Sequence, residues 1–211
     1  MTPAVFILCG LWCGHSPLRG AYTVAPGSGA VHVGGGVNVV LPTLALGATL
    51  GVASRVDVTL TYETHAGLAH VFSAAARVRL SERWAMTHSL SHGLFVVEEI
   101  GGIQSARAPF GNGLTTTHGA VFSRWNLSGL HLALAAGFTI RWLVPRESFD
   151  VVTLETEPTL HTAHLDLTVE WAARGSGTWW LQVRALVPIQ AEFNLLGYLP
   201  MVLVGRSWSL E

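Results

Sequence analysis

Apolar and polar side chains alternate with a period of two along much of this 211-residue chain. The clearest run covers residues 130–144. Leu130, Leu132, Leu134, Ala136, Phe138, Ile140, Trp142 and Val144 fall on one face, and His131, Ala133, Ala135, Gly137, Thr139 and Arg141 on the other. In a strand successive side chains point to opposite faces, whereas a helix would smear both sets around its circumference. Residues 162–171 repeat the pattern, with Ala163, Leu165, Leu167, Val169 and Trp171 set against Thr162, His164, Asp166, Thr168 and Glu170. Residues 44–52, 56–63, 72–80 and 179–187 follow it as well. Weaker candidates at 30–41, 84–97, 115–125 and 201–210 bring the expected total to ten strands, with eight as the alternative.

The breaks between strands alternate in character. Ser54-Arg55, Ser81-Glu82-Arg83, Asn126-Leu127-Ser128-Gly129 and Arg174-Gly175-Ser176-Gly177 read as tight turns. Residues 99–114 and 145–159 read as long polar connections, and those around Pro42 and His65–Gly67 as short ones. Short turns on one side and long loops on the other are the habit of up-and-down transmembrane barrels, whose turns face the periplasm. An even strand number then puts both termini on that side. The expected fold is all-β, a closed antiparallel up-and-down transmembrane barrel over residues 30–211.

Composition supports a lipid-facing exterior. Only 12% of residues are Asp, Glu, Lys or Arg, about half the share typical of a soluble domain. The longest uncharged stretch, residues 20–54, carries Pro26, Pro42 and the triplet Gly34-Gly35-Gly36, which is poor helix material. The net charge of −1 is spread along the chain, so no basic patch points to nucleic acid. Residues 4–13 form a short apolar run that fits the core of an export signal. The division expected is a signal over 1–20, a linker over 21–29, and the barrel. Both cysteines, Cys9 and Cys13, lie in the signal, which excludes a disulfide framework. Gly10-Leu11-Trp12-Cys13 has a distant likeness to a lipidation site at Cys13, with Trp12 too large for it.

In its alternation, and in the Gly-x-x-Ser-Arg-Val-Asp-Val unit at residues 51–58, the chain resembles small bacterial outer-membrane β-barrels of the OmpA-like and OmpX-like class. That resemblance implies a place in the outer-membrane bilayer, delivery by the barrel-insertion machinery, and a monomer. Such barrels usually end on an aromatic residue, whereas this chain ends Trp208-Ser209-Leu210-Glu211.

Parity assigns Asp57, Glu63, Arg77, Arg79, Arg141, Asp166, Glu170 and Arg184 to the lumen. There mutual pairing is the expected role, because a buried charge left alone costs several kcal/mol. Trp84, Trp125, Trp171, Trp179 and Trp208 sit near the tight turns, as an interfacial aromatic girdle requires. Ten histidines raise the question of a metal. His88 and His92 share a face but stand roughly 13 Å apart at about 3.3 Å per residue, and His161 and His164 face opposite ways. No cofactor or metal is expected. His65, His161, Glu63 and Ser148 are the raw material for a rim hydrolase, yet no Gly-x-Ser-x-Gly or His-Glu-x-x-His motif accompanies them. A non-enzymatic barrel that presents loops or forms a narrow pore is the leading expectation. A soluble or lipid-anchored barrel holding an apolar ligand is the alternative, and it would turn the Leu/Val face inward.

Overall fold

The computed structural model describes residues 20–38, 41–67, 69–95, 99–100, 103–104, 113–127, 129–148, 151–155, 159–174, 176–188 and 201–210. These form strands β1 (Gly29–Asn38), β2 (Leu41–Ala53), β3 (Val56–His65), β4 (Ala69–Arg79), β5 (Trp84–Phe95), β6 (Glu99–Ile100), β7 (Ile103–Gln104), β8 (Gly113–Leu127), β9 (Leu130–Ser148), β10 (Val151–Glu155), β11 (Thr159–Ala172), β12 (Thr178–Pro188) and β13 (Met201–Leu210). Ten of them, β1 to β5, β8, β9 and β11 to β13, pair antiparallel in chain order. The last strand closes on the first over its whole length, from Gly29 opposite Leu210 to Asn38 opposite Met201. Closure leaves none of these ten strands as an edge that could bind a stray chain.

The alternating sets face as the membrane geometry requires. On β9 His131, Ala133, Ala135 and Thr139 are buried inside, while Leu134 and Phe138 stand 47% and 42% exposed on the outer wall. Leu165 and Leu167 of β11, Leu60 of β3 and Leu46 and Leu50 of β2 are likewise exposed outward. Buried inside are Asp57, Asp166, Arg77, Arg184, His32 and a set of Ser and Thr residues. The polarity is that of a water-soluble protein turned inside out. An apolar-ligand binder would show the opposite arrangement.

Two connections differ from the expectation of plain loops. The stretch 145–159 carries the end of β9, then β10, which folds back on it from Val151 opposite Ser148 to Glu155 opposite Val144. Within 99–114, β6 and β7 form a small separate pair. Backbone groups extending beyond the barrel wall pair with each other there, and so meet their hydrogen-bonding needs without a neighbouring barrel strand. Pro42 lies inside β2, opposite Val37, one residue in from the strand start, where its missing N–H costs least.

Trp180 fills the lumen beside β13 and β1. Its indole lies across the two lumen-facing glycines Gly205 and Gly34, which stand opposite each other, and a Cβ on either would collide with the ring. Gly34→Val, where the ring is the obstacle and the nearest backbone oxygen lies 3.2 Å away, is therefore expected to expel the indole, at an overpacking cost of about 1–3 kcal/mol. Red-shifted tryptophan emission and a lower urea midpoint would register it, and an unchanged spectrum would show that the ring is not wedged there.

Candidate functional site

The lumen is the part of this molecule where chemistry gathers, and cross-strand register decides how. Asp57 stands opposite Arg77 on β3 and β4. The guanidinium grips the carboxylate through both oxygens, Nε to Oδ1 at 3.2 Å and Nη2 to Oδ2 at 2.5 Å. Asp166 stands opposite Arg184 on β11 and β12, and the grip repeats, with Nη2 donating to Oδ2 at 2.6 Å and Nε to Oδ1. Bidentate guanidinium–carboxylate pairs are among the stronger charge-assisted bonds and hold a fixed geometry. His164 lies 4.0 Å from Asp166 Oδ2, and His131 Nδ1 3.1 Å from Glu170 Oε2.

Between these pairs runs a chain of side-chain hydrogen bonds. Ser207 Oγ meets His32 Nδ1 at 2.8 Å, His32 Nε2 meets Thr49 Oγ1 at 2.8 Å, and Thr49 meets Thr59 at 2.8 Å. These side-chain bonds link four neighbouring strands, β13, β1, β2 and β3, across the closing seam, alongside their backbone ladders.

Residues 20–28 turn into the tight-turn end of the barrel. Gly20 and Ala21 are buried, the Ala21 N–H donates to Ser123 Oγ, and Gly20 O accepts from Arg77 Nη1 at 3.0 Å. The Val24 N–H donates to Asp57 Oδ2 at 3.0 Å, and the Tyr22 ring meets His131 edge-on at 5.5 Å. Pro26 pairs with Gly51 as a short parallel bridge, flanked by Gly27 N–H to Gly51 O and Gly51 N–H to Ser28 O, both 3.0 Å. This strap crosses the mouth because Gly51 has no side chain. A Cβ there would strike the Ala25 carbonyl and lie 2.6 Å from Val24 O. Beside the strap is a pocket of about 410 Å³, whose walls include Tyr22, Ser28, His131, Glu170, Thr178 and Ser209. The Asp57–Arg77 pair thus has two tasks, filling the lumen and anchoring the strap.

The other residues singled out from the sequence fall as follows. Arg79 shares a face with Arg77 but lies by the β2–β3 turn, where Nη2 donates to Ser54 O at 3.2 Å. Glu63 is buried, with His65 Nε2 at 3.9 Å. The side chains of Arg141, Trp125, Ser148 and His161 lie outside the described residues. Trp84, 50% exposed, leans on Phe122 at 5.0 Å between ring centres. Trp171 stands opposite Trp179. The Arg206 guanidinium lies 5.5 Å from the Trp179 ring and 5.2 Å from that of Trp208, and donates to Ser176 O at 2.7 Å. Such a basic group, stacked on indoles with its head toward a turn, is the posture of a side chain at a polar–apolar boundary. His88 meets not His92 but His118, its cross-strand neighbour, with Nδ1 atoms 2.9 Å apart on the outer wall.

The sequence pattern did not bring forward the strap, the close approach at Gly51, the stacking of Arg206 or the lumenal positions of His32, Trp180 and Gln182, the last 1% exposed. Parity within β1 and β12 was the available signal for His32, Trp180 and Gln182. For the strap none existed, because residues 20–28 carry no alternation.

No protein-family model matches the chain, and no curated protein matches it in sequence. Among solved structures it is similar to the N-terminal β-barrel domain of Pseudomonas aeruginosa OprF, at 10% identity over 89% of this chain and 100% of that one, with a TM-score of 0.43. The chain resembles outer-membrane β-barrels. It is also similar to the translocator domain of the autotransporter NalP from Neisseria meningitidis, at 8% identity over 90% of each chain and TM-score 0.40. An outer-membrane channel from Pseudomonas putida F1 is a third such structure, at 8% identity over 93% of this chain and 99% of that one, with a TM-score of 0.41. What they share with this chain is the general form of a barrel, and their activities remain their own.

Proposed function

We propose that this chain is a non-enzymatic barrel of the bacterial outer membrane that presents its loop end at the cell surface and keeps its lumen shut at the periplasmic end. The strap carries this reading. Residues 20–28 close the tight-turn mouth through bonds to Asp57, Arg77, Ser123 and Gly51, and the two guanidinium–carboxylate pairs occupy the lumen behind it. In a narrow barrel interior side chains largely fill the space. The exposed Leu and Val band meets the hydrocarbon, and Trp84, Trp171, Trp179 and Trp208 with Arg206 form the periplasmic interface. In this reading the lipid bilayer is the principal partner, the barrel-insertion machinery delivers the chain, and the folded form is a monomer.

Planar-bilayer recording tests the closed lumen. Wild-type protein is expected to insert with no resolved conductance steps. Gly51→Leu, whose side chain evicts the strap, is expected to give discrete steps while keeping heat-modifiable migration in detergent gels. Steady open channels from the wild-type protein would remove the closed-lumen reading.

A further inference from the structure

We propose that the lumen holds a divalent transition-metal ion at Glu63 and His65, near the loop end of β3. Thr61, Glu63 and His65 are successive lumen-facing residues of one strand. Each carries a buried polar atom with no hydrogen-bond partner: Thr61 Oγ1, both carboxylate oxygens of Glu63, and His65 Nε2. Glu63 and His65 are 1% and 0% exposed. A buried carboxylate normally finds a cation or several N–H donors. Asp57 and Asp166, in the same lumen, each have a guanidinium, and among the described residues none pairs with Glu63.

The neighbours of Glu63 offer no remedy. Across the pairing it stands opposite Ala45 on β2 and Val71 on β4, neither with a polar side chain. His65 Nε2 lies 3.9 Å from Oε2, well beyond hydrogen-bond length. On its other side His65 Nδ1 meets Thr43 Oγ1 at 2.9 Å. When Nδ1–H donates to the Thr43 oxygen, Nε2 holds the lone pair and faces the carboxylate. Two electron-pair donors then confront each other with nothing between them. A hydrogen-bonded second nitrogen is also what orients a metal-ligating imidazole.

A cation between them resolves both deficits. Zinc-class ions bind imidazole nitrogen at about 2.0–2.1 Å and carboxylate oxygen at about 2.0–2.2 Å. An N–metal–O bridge therefore spans about 3.4 Å when tetrahedral and about 4.2 Å when linear, and the observed 3.9 Å lies inside that range. Imidazole with carboxylate suits zinc, cobalt or nickel better than calcium or magnesium, which prefer oxygen alone. No group of three or more His, Cys, Asp or Glu side chains that could hold a metal occurs among the described residues. The site is thus a two-ligand one completed by water. It depends on the barrel's interior geometry and not on where the barrel resides.

The test is metal binding by the folded full-length barrel in detergent, freed of metal by chelation. Isothermal titration with Zn²⁺ is expected to show a site that weakens at least tenfold in Glu63→Gln and in His65→Ala and is unaffected in His118→Ala. The last variant controls for the outer-wall His88–His118 pair. X-ray absorption of the wild-type complex, which needs no variant to fold, is expected to report one imidazole nitrogen among oxygen neighbours. The proposal is overturned by absence of binding, by binding that survives Glu63→Gln or is lost in His118→Ala, or by a spectrum with two or more imidazoles.

Discussion

Arg184→Leu lowers the unfolding free energy by about 3–5 kcal/mol, the usual consequence of stranding one charge of a buried pair. Asp166 is 0% exposed, and its bidentate partner sits directly across the β11–β12 pairing. Removing the guanidinium leaves His164, 4.0 Å away, as the basic neighbour of the carboxylate among the described residues. The companion variant Asp166→Leu/Arg184→Leu is expected to recover most of the loss, since replacing both members of a buried pair by apolar groups is often near neutral. Urea titration in phospholipid vesicles, followed by tryptophan fluorescence, measures both. The size of the first effect also reports on the lumen. A cost below about 1 kcal/mol is the figure for a solvated pair. It would mean that water reaches Asp166 freely, and the picture of a filled interior would fail with it.

The second large effect lies on the opposite face. Leu134→Arg is expected to destabilise the vesicle-embedded barrel by about 2–4 kcal/mol, and Leu130→Arg by about 0–1 kcal/mol, because the cost of a charge on the lipid face falls from the bilayer centre to its edge. Leu130 begins β9 beside the tight turn, and Leu134 lies four residues further along the same outward face. At about 3.3 Å per residue on a strand tilted by about 40°, that is a rise of roughly 10 Å. Both leucines are exposed, 40% and 47%. A soluble barrel would treat the two substitutions alike, and equal, small costs would exclude lipid around this wall.

These two experiments probe features of different legibility. Leu134 was readable as outward-facing from the alternation alone, because a period of two leaves each side chain only two directions. The same reasoning placed Arg77 and Arg79 together inside, and here register made the distinction. Arg77 falls opposite Asp57, whereas Arg79 falls opposite Ala85 and reaches the turn carbonyl of Ser54. Periodicity names a face, but pairing across strands chooses the partner, and the partner is not nearby in sequence. Glu63 illustrates the converse. By parity it was one of a set of charges expected to neutralise each other, yet its cross-strand neighbours are Ala45 and Val71. Likewise His88 was compared with His92 on its own strand, while its actual contact is His118, thirty residues away.

By itself the sequence determined the wall of this molecule: the all-β class, the tight turns, and which side chains look outward, while closure of the last strand on the first decided ten strands over eight. Each follows from local geometry, where one residue's direction depends only on its neighbours in the chain. The tertiary structure alone decided what occupies the interior. The strap over residues 20–28 depends on the small size of Gly51, the Trp180 plug on the facing glycines Gly34 and Gly205, and the charge pairs on register around a closed sheet. Closure brings residues from distant strands to a common axis, and no local period in the chain encodes which of them meet there.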